Sequence, residues 1–194
     1  MTLEPAPEKR ELRRKLRDYL KSLPDGESAA VSLQAQALLR RQAVWKNARS
    51  ILFYAPLAGE IDLSPLLREG LEEGKIIALP RFAPETGDYE ARQIRGMETD
   101  CVRGKFGIWE PSARCPCFSL KQLDLVLVPG IGFDMSGHRL GRGRGFYDRL
   151  LAPIGGGKCG VAFDPQVLAG IPNEAHDVVM NFILTPTRWL KIPD

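Results

Sequence analysis

Residues 124–151 read DLVLVPGIGFDMSGHRLGRGRGFYDRLL. Leu125 to Val128 form an apolar, β-branched run, long enough for one buried strand, and Pro129 closes it. A loop follows with five glycines between Gly130 and Gly143 and a sixth at Gly145, and Arg139, Arg142 and Arg144 are threaded among the last of them. Phe146 to Leu151 reads as the first turns of a helix. Strand, glycine-rich loop and helix N-terminus together suit phosphate: free backbone N–H groups face the anion, and glycine lets the backbone come close. Three guanidiniums add charge and forked donors that match phosphate oxygens.

Glycine spacing alone leaves a second reading open. The P-loop pattern is absent and the Rossmann spacing is not met, so a flexible Gly/Arg surface loop that touches RNA competes with an ordered ligand loop. Two details favour order. The loop directly follows a buried strand, where open α/β sheets hold their ligands, and it ends in Tyr147-Asp148 on a helix instead of running into low-complexity sequence.

At 194 residues the chain is one domain's worth of sequence with room for a core. Its apolar fraction of 44% and charged fraction of 26% are those of an ordinary globular protein. A net charge of +3 is mild for a dedicated nucleic-acid binder, although basic residues concentrate at 9–21 and in the glycine loop. Glu4, Pro5 and Pro7 near the start do not suit a signal peptide. No apolar run approaches the ~18–20 residues of a membrane span. The cysteines at 101, 115, 117 and 159 lack zinc-site spacing, and the histidines at 138 and 176 lie far from the C-x-C at 115–117, so the thiols read as structural or incidental. A reducing cytoplasm is the simplest compartment.

Residues 7–23 read as an amphipathic helix with Leu12, Leu16, Tyr19, Leu20 and Leu23 on one stripe. At about 100° per residue, Lys9 falls inside that stripe and Arg13 at its edge, whereas Arg10, Arg14, Arg17 and Lys21 point away. A cation aimed at the packing face either snorkels out or meets an anion. Beyond Pro24-Asp25-Gly26, Ser28 is expected to cap a helix through about Trp45. A strand at 50–55, a turn delivering Glu60, a helix at about 62–73 and a strand at 75–79 closed by Pro80 make a parallel βαβ unit. The Pro- and Gly-rich segment 82–123 reads as an antiparallel insertion or flap over the site. After the signature helix, 155–157 is a linker, and strands follow at 159–163 and 182–185, with Pro186 ending regular structure.

The signature stretch resembles that of the 5-formyltetrahydrofolate cyclo-ligase (5,10-methenyltetrahydrofolate synthetase) family: Val128-Pro129-Gly130 with Phe133-Asp134, then Gly137 and Arg139-Leu140-Gly141-Arg142-Gly143-Arg144-Gly145-Phe146-Tyr147-Asp148. Lys9 and Arg13 are similar to the family's N-terminal Lys-x-x-x-Arg, and Phe106 to Pro111 to its F-G-I-x-E-P element. The resemblance covers about residues 9–185 and implies an ATP- and Mg²⁺-dependent cyclisation of 5-formyltetrahydrofolate to 5,10-methenyltetrahydrofolate. It implies ATP contacts from Lys9, Arg13, Arg139, Gly141, Arg142, Gly143, Arg144, Gly145, Phe146 and Tyr147, with Arg142 and Arg144 catalytic. Substrate contacts fall to Tyr54, Glu60, Trp109, Arg142 and Phe146, and Mg²⁺ to Asp148 and, through the Pro172–Asp177 region, Asp177.

Each assignment has a plainer counterpart in the residues themselves. Asp148 suits a helix-dipole carboxylate worth ~0.3–1 kcal/mol, Trp109 suits a core residue, and His176 suits a structural hydrogen bond. The chain departs from the family in three places: Phe146 stands for the first Tyr of Tyr-Tyr-Asp, Leu63 for a Thr, and Asn181 for an Asp found in many relatives. The expected architecture is a single three-layer αβα domain over 1–194 with a mostly parallel sheet and a small antiparallel insertion. Expected partners are the two small-molecule substrates, with no nucleic acid and no membrane, acting on a monomer in the cytoplasm. A non-catalytic folate- or nucleotide-binding relative of the same fold is the alternative.

Overall fold

The run at 125–128 is buried on both faces. Leu125 and Leu127 join one apolar cluster, Val126 and Val128 another. Alternating side chains that are buried on both sides mark a strand covered by helices above and below. The computed structural model describes residues 7–22, 25–104, 107–174 and 177–193. Its first half comprises α1 (Pro7–Ser22), α2 (Asp25–Arg40), α3 (Ala43–Asn47), β1 (Ser50–Leu52), α4 (Ser64–Glu72), β2 (Ile76–Ala83) and β3 (Asp88–Ile94). Next come α5 (Met97–Asp100), β4 (Cys101–Arg103), β5 (Trp109–Pro111), β6 (Leu125–Pro129), β7 (Gly132–Asp134) and β8 (Arg139–Leu140). The chain continues through α6 (Phe146–Leu151), β9 (Gly157–Val161), β10 (Val167–Leu168), β11 (Phe182–Leu184) and β12 (Trp189–Lys191).

Seven strands form the main sheet in the order β12-β11-β9-β6-β1-β2-β3. The five inner strands run parallel, and β12 and β3 pair antiparallel at the two edges. On one face α2, α3 and α4 bring Leu39, Trp45, Leu66 and Leu67 onto Ile51, Ile77, Leu125 and Leu127. On the other, Leu150 and Leu151 of α6 meet Leu52, Val126, Val128 and Ile183. This is a three-layer α/β fold with a mostly parallel sheet. A third cluster stands apart: Leu16 of α1 with Ile131, Leu140 and Ile171. It docks α1 on a three-stranded sheet, β10-β7-β8, at the carboxyl end of β6. A two-stranded antiparallel ribbon, β4–β5, completes the molecule.

Several expected boundaries move. Pro80 does not close β2, which runs to Ala83 with Pro80 opposite Ala91. β1 ends at Leu52 opposite Ala78, so among the described residues no strand pairs with β2 on that flank beyond this point. Ala91 turns its carbonyl outward to accept from Phe118 N at 2.8 Å. The Pro80–Ala91 pair is therefore a non-hydrogen-bonded one, and the missing proline N–H breaks no ladder bond. Pro186 does not end regular structure either. It sits in a turn closed by Thr185 N donating to Arg188 O at 2.9 Å, and β12 follows. Helix α2 starts at Asp25, three residues before Ser28, and stops at Arg40, with α3 a separate element. The glycine stretch is not one loop: β7 and β8 form a hairpin inside it.

Candidate active site

Beyond the carboxyl ends of β1 and β6, where a parallel sheet leaves room for a ligand, the chain walls in a cleft of about 640 Å³. Every residue singled out above for ATP, substrate or metal lines it. Helix α1 contributes Lys9, only 7% exposed, and half-buried Arg13. Arg10 and Arg14 are exposed and do not line this cleft, although with Arg13, Arg17, Arg142 and Gly143 they border a second depression beside it. Arg17 departs from the expected orientation: although exposed, it reaches the cleft wall. The β1–α4 connection supplies Tyr54 and Glu60, the β4–β5 ribbon Trp109, and the loop after β8 Gly141 to Gly145. Gly145 adopts φ +65° at the start of α6, a left-handed turn that suits glycine, and no side chain caps that helix.

Lys9, Arg139 and Arg142 are paired with carboxylates of the cleft. Lys9 Nζ lies 3.0 Å from Asp177 Oδ2 and 3.3 Å from Glu174 Oε1. Arg139 Nη2 lies 2.8 Å from Asp148 Oδ1 and places its guanidinium 5.5 Å from the centre of the Tyr147 ring. Arg142 Nη2 reaches Glu60 Oε1 at 2.7 Å, while Glu60 Oε2 accepts from Leu57 N at 3.0 Å. Arg13 Nε donates to Gly141 O at 2.9 Å. Burial, then the neighbouring charges of Arg17 and Arg139, pull the Arg13 pKa below its usual value, so a gathering of cations there favours an incoming anion. Arg144 is exposed at the same rim.

The rest of the lining includes several aromatic side chains. Tyr54 donates its hydroxyl to Ile61 O at 2.6 Å, and burial, followed by the charge of Glu60, raises its pKa well above the usual phenol value. Burial first, then Glu60, raises the Tyr147 phenol too. Phe146 stands edge-on to Tyr89 at 5.3 Å and to Phe82 at 5.9 Å. Trp109 is 42% exposed with Arg103 stacked 4.4 Å over its ring, so it is a rim residue and not a core one. Sequence reasoning passed over Tyr89, Glu174 and Glu110, all of which line the cleft. Glu174 stood inside the quoted Pro172–Asp177 stretch, next to a residue already chosen.

The chain was compared with known proteins. Residues 5–186 match the model of the 5-formyltetrahydrofolate cyclo-ligase family. The chain belongs to that family. A 5-formyltetrahydrofolate cyclo-ligase of Mycolicibacterium smegmatis is 34% identical over 149 residues, covering 74% of this chain and 77% of its own. The mouse 5-formyltetrahydrofolate cyclo-ligase is 27% identical over 191 residues, 91% and 92% of the two chains. The NMR structure of Aquifex aeolicus 5,10-methenyltetrahydrofolate synthetase superposes with a TM-score of 0.86 at 32% identity, covering 96% of this chain and 93% of that one.

With the cyclo-ligase family established, its local departures take a physical form. Asn181 does not line the cleft: its Oδ1 accepts from Lys158 N at 2.9 Å and ties the segment before β11 to β9. Leu63 is 2% exposed and precedes α4 as core packing. Phe146 packs among aromatics where a cyclo-ligase usually has tyrosine. Phe106 and His176 lie outside the described residues. Among the described residues no group of three or more His, Cys, Asp or Glu gathers as a metal site. Asp148 and Asp177 nonetheless suit magnesium, which takes one or two carboxylates and completes its shell with phosphate oxygens and water. No helix of the described residues is long and apolar enough to cross a membrane.

Proposed function

We propose that this protein uses ATP to cyclise 5-formyltetrahydrofolate to 5,10-methenyltetrahydrofolate, with release of ADP and phosphate. The observation that carries this reading is the shared cleft. Lys9, Arg13, Arg139, Arg142 and Arg144 make up the cationic part of its lining; Tyr54, Glu60, Trp109 and Phe146 make up the aromatic and carboxylate part. The Arg142–Glu60 pair joins the two parts. The cationic part suits a triphosphate, and the aromatic part suits a flat pterin whose N–H edge pairs with a carboxylate.

The chemistry asks little covalent work of the protein. A formyl oxygen is a poor leaving group until it is phosphorylated. Its lone pair attacks the γ-phosphorus of ATP, an O–P bond forms, and the bond to the β–γ bridging oxygen breaks to release ADP. N10 then attacks the formyl carbon, the ring closes, N10 loses its proton, and the former formyl oxygen leaves as phosphate. The second C–N bond leaves the product as a cation shared between N5 and N10. The protein's task is to hold formyl oxygen and γ-phosphate in line and to stabilise charge as it shifts. Arg142 and Arg144 would meet the transferring phosphoryl group, and Lys9, Arg13 and Arg139 the remaining phosphates. Asp148 and Asp177 would hold Mg²⁺, which neutralises phosphate charge when bound. A cytoplasmic monomer, as expected from the sequence, belongs to the same proposal.

Purified protein, 5-formyltetrahydrofolate and MgATP are followed at the absorbance of the methenyl product. Product should form only with ATP and magnesium together, matched by ADP. Turnover without ATP, or none from folded protein, rejects the reading.

A further inference from the structure

We propose that Asp134, His138 and Asn173 form a positioning relay that fixes the acidic arc carrying Glu174 and Asp177 against Lys9. None of the three lines the cleft. The proposal rests on the reading of Asp177 as a magnesium-side carboxylate and adds the residues that hold it in place.

The relay starts in the core. Asp134 ends β7 and is 2% exposed. Its Oδ1 accepts from Ser136 N and His138 N, both at 2.9 Å, and its Oδ2 accepts from Ile171 N at 2.8 Å. The same Oδ2 lies 3.0 Å from His138 Nδ1. An ionised carboxylate only accepts, so Nδ1 is placed as the donor, and in that tautomer Nε2 is an acceptor. Asn173 Nδ2 stands 3.0 Å from that Nε2 and donates to it. Carboxylate, imidazole and amide thus lead from a buried strand end to the residue just before Glu174.

A second grip lies on the far side of the arc. Gly137 O accepts from Met180 N at 2.9 Å. Gly137 has φ +83°, and a Cβ there would sit 2.6 Å from Met180 O, so only glycine lets the turn press on this backbone. The turn at 134–138 therefore holds the arc at Ile171, Asn173 and Met180. Within the arc Asp177 Oδ2 accepts from Glu174 N, and Asp177 N donates to Glu174 O, each at 2.9 Å. The described residues of the arc carry no helix or strand. Such a segment needs specific bonds to hold a ligating carboxylate within the few tenths of an ångström that catalysis requires.

Asn173→Ala tests the relay most cleanly, because Asn173 is exposed and its loss leaves the Asp134 core intact. Two readouts are taken: hydrogen–deuterium exchange of the 171–180 segment in ligand-free protein, and the Mg²⁺ concentration giving half-maximal turnover. Exchange should quicken, and the magnesium requirement should rise about 10-fold, with KM for the folate and the melting temperature unchanged. His138→Asn keeps an N–H for Asp134 but offers nothing to Asn173, so it should match Asn173→Ala, and the double variant should go no further. Unchanged exchange overturns the proposal, as do additive effects or a joint fall of all kinetic constants with melting temperature. Asp177→Ala separates the two readings. If it leaves the magnesium requirement alone, the metal assignment fails, and exchange alone decides whether the relay orders the arc. If it raises the requirement and Asn173→Ala does not, the relay has no positioning role.

Discussion

Arg142 Nη2 lies 2.7 Å from Glu60 Oε1, joining residues 82 positions apart. One belongs to the glycine loop and the other to the aromatic part of the cleft, so a ligand that draws either side chain toward itself competes with the pair. A triphosphate that draws Arg142 away frees Glu60 for the folate. A non-hydrolysable ATP analogue should therefore tighten folate binding about 5-fold, the low end for coupled sites because Arg142 is 56% exposed. In Arg142→Ala the coupling should vanish and turnover should fall. Calorimetric titrations with and without the analogue measure the coupling. Equal coupling in both proteins rejects the role of the pair.

Asp148 does more than sit near a helix dipole. It faces Arg139, whose side chain is 5% exposed and whose Nε has no partner among the described residues. Removing one partner of a buried pair strands the other charge. Asp148→Asn should cost about 3 kcal/mol of stability, well above the ~1 kcal/mol of a dipole contact, as well as lowering turnover. Urea denaturation against the parent decides between the two values.

Helix α1 offers an internal control for charge. Lys9→Ala and Arg13→Ala should each weaken ATP use at least ~10-fold, the equivalent of one charge-assisted contact. Arg10→Ala and Arg14→Ala, on the exposed face, should cost less than ~2-fold. Each variant removes one positive charge from the same helix. Equal losses across all four would show that only the helix's overall field matters.

Glu110 should make stability fall with rising pH. It is 4% exposed, its Oε1 has no partner among the described residues, and burial raises its pKa despite a backbone bond from Phe82 and the charge of Arg81. A carboxyl raised in the fold binds its proton longer than in the unfolded chain. The native state therefore loses ground as pH climbs from the ordinary carboxylate value, about 4.3, through the raised one. Glu110→Gln removes that penalty. Its melting temperature relative to the parent should show no ionisation-linked change below about pH 4 and should rise to a plateau at higher pH. A pH-independent difference contradicts this account.

Much of the architecture was legible because it rests on long apolar signals. The 125–128 run, the β1–α4–β2 unit and the stripe of α1 each exceed what chance spacing produces. What escaped detection was short or paired through backbone alone. β7, β8 and β10 span two or three residues, too few for a period to show. Pro80 and Pro186 looked like terminators, yet each sits where its missing N–H has no partner to lose. The candidate site residues came from motif resemblance, and geometry gathers them on one cleft. Their mutual pairing was not legible, since nothing in a linear sequence brings Glu60 to Arg142 or Asp177 to Lys9. His138 and Asn173 went unnoticed for the same reason: their meaning lies in contacts between segments more than 30 residues apart.

Helix α1 is attached differently from the rest of the molecule. Of its described side chains only Leu16 is a buried apolar one, and that residue belongs to the small third cluster; the partly buried Leu20 is the one contact it adds to a cluster of the main sheet. Local opening can therefore lift α1 while the sheet and its other helices stay folded. On warming, the protein would shed Lys9 and Arg13 from the cleft before its global transition. Catalytic inactivation and loss of far-ultraviolet ellipticity then become two separate events, and the first is reversed simply by α1 settling back into place.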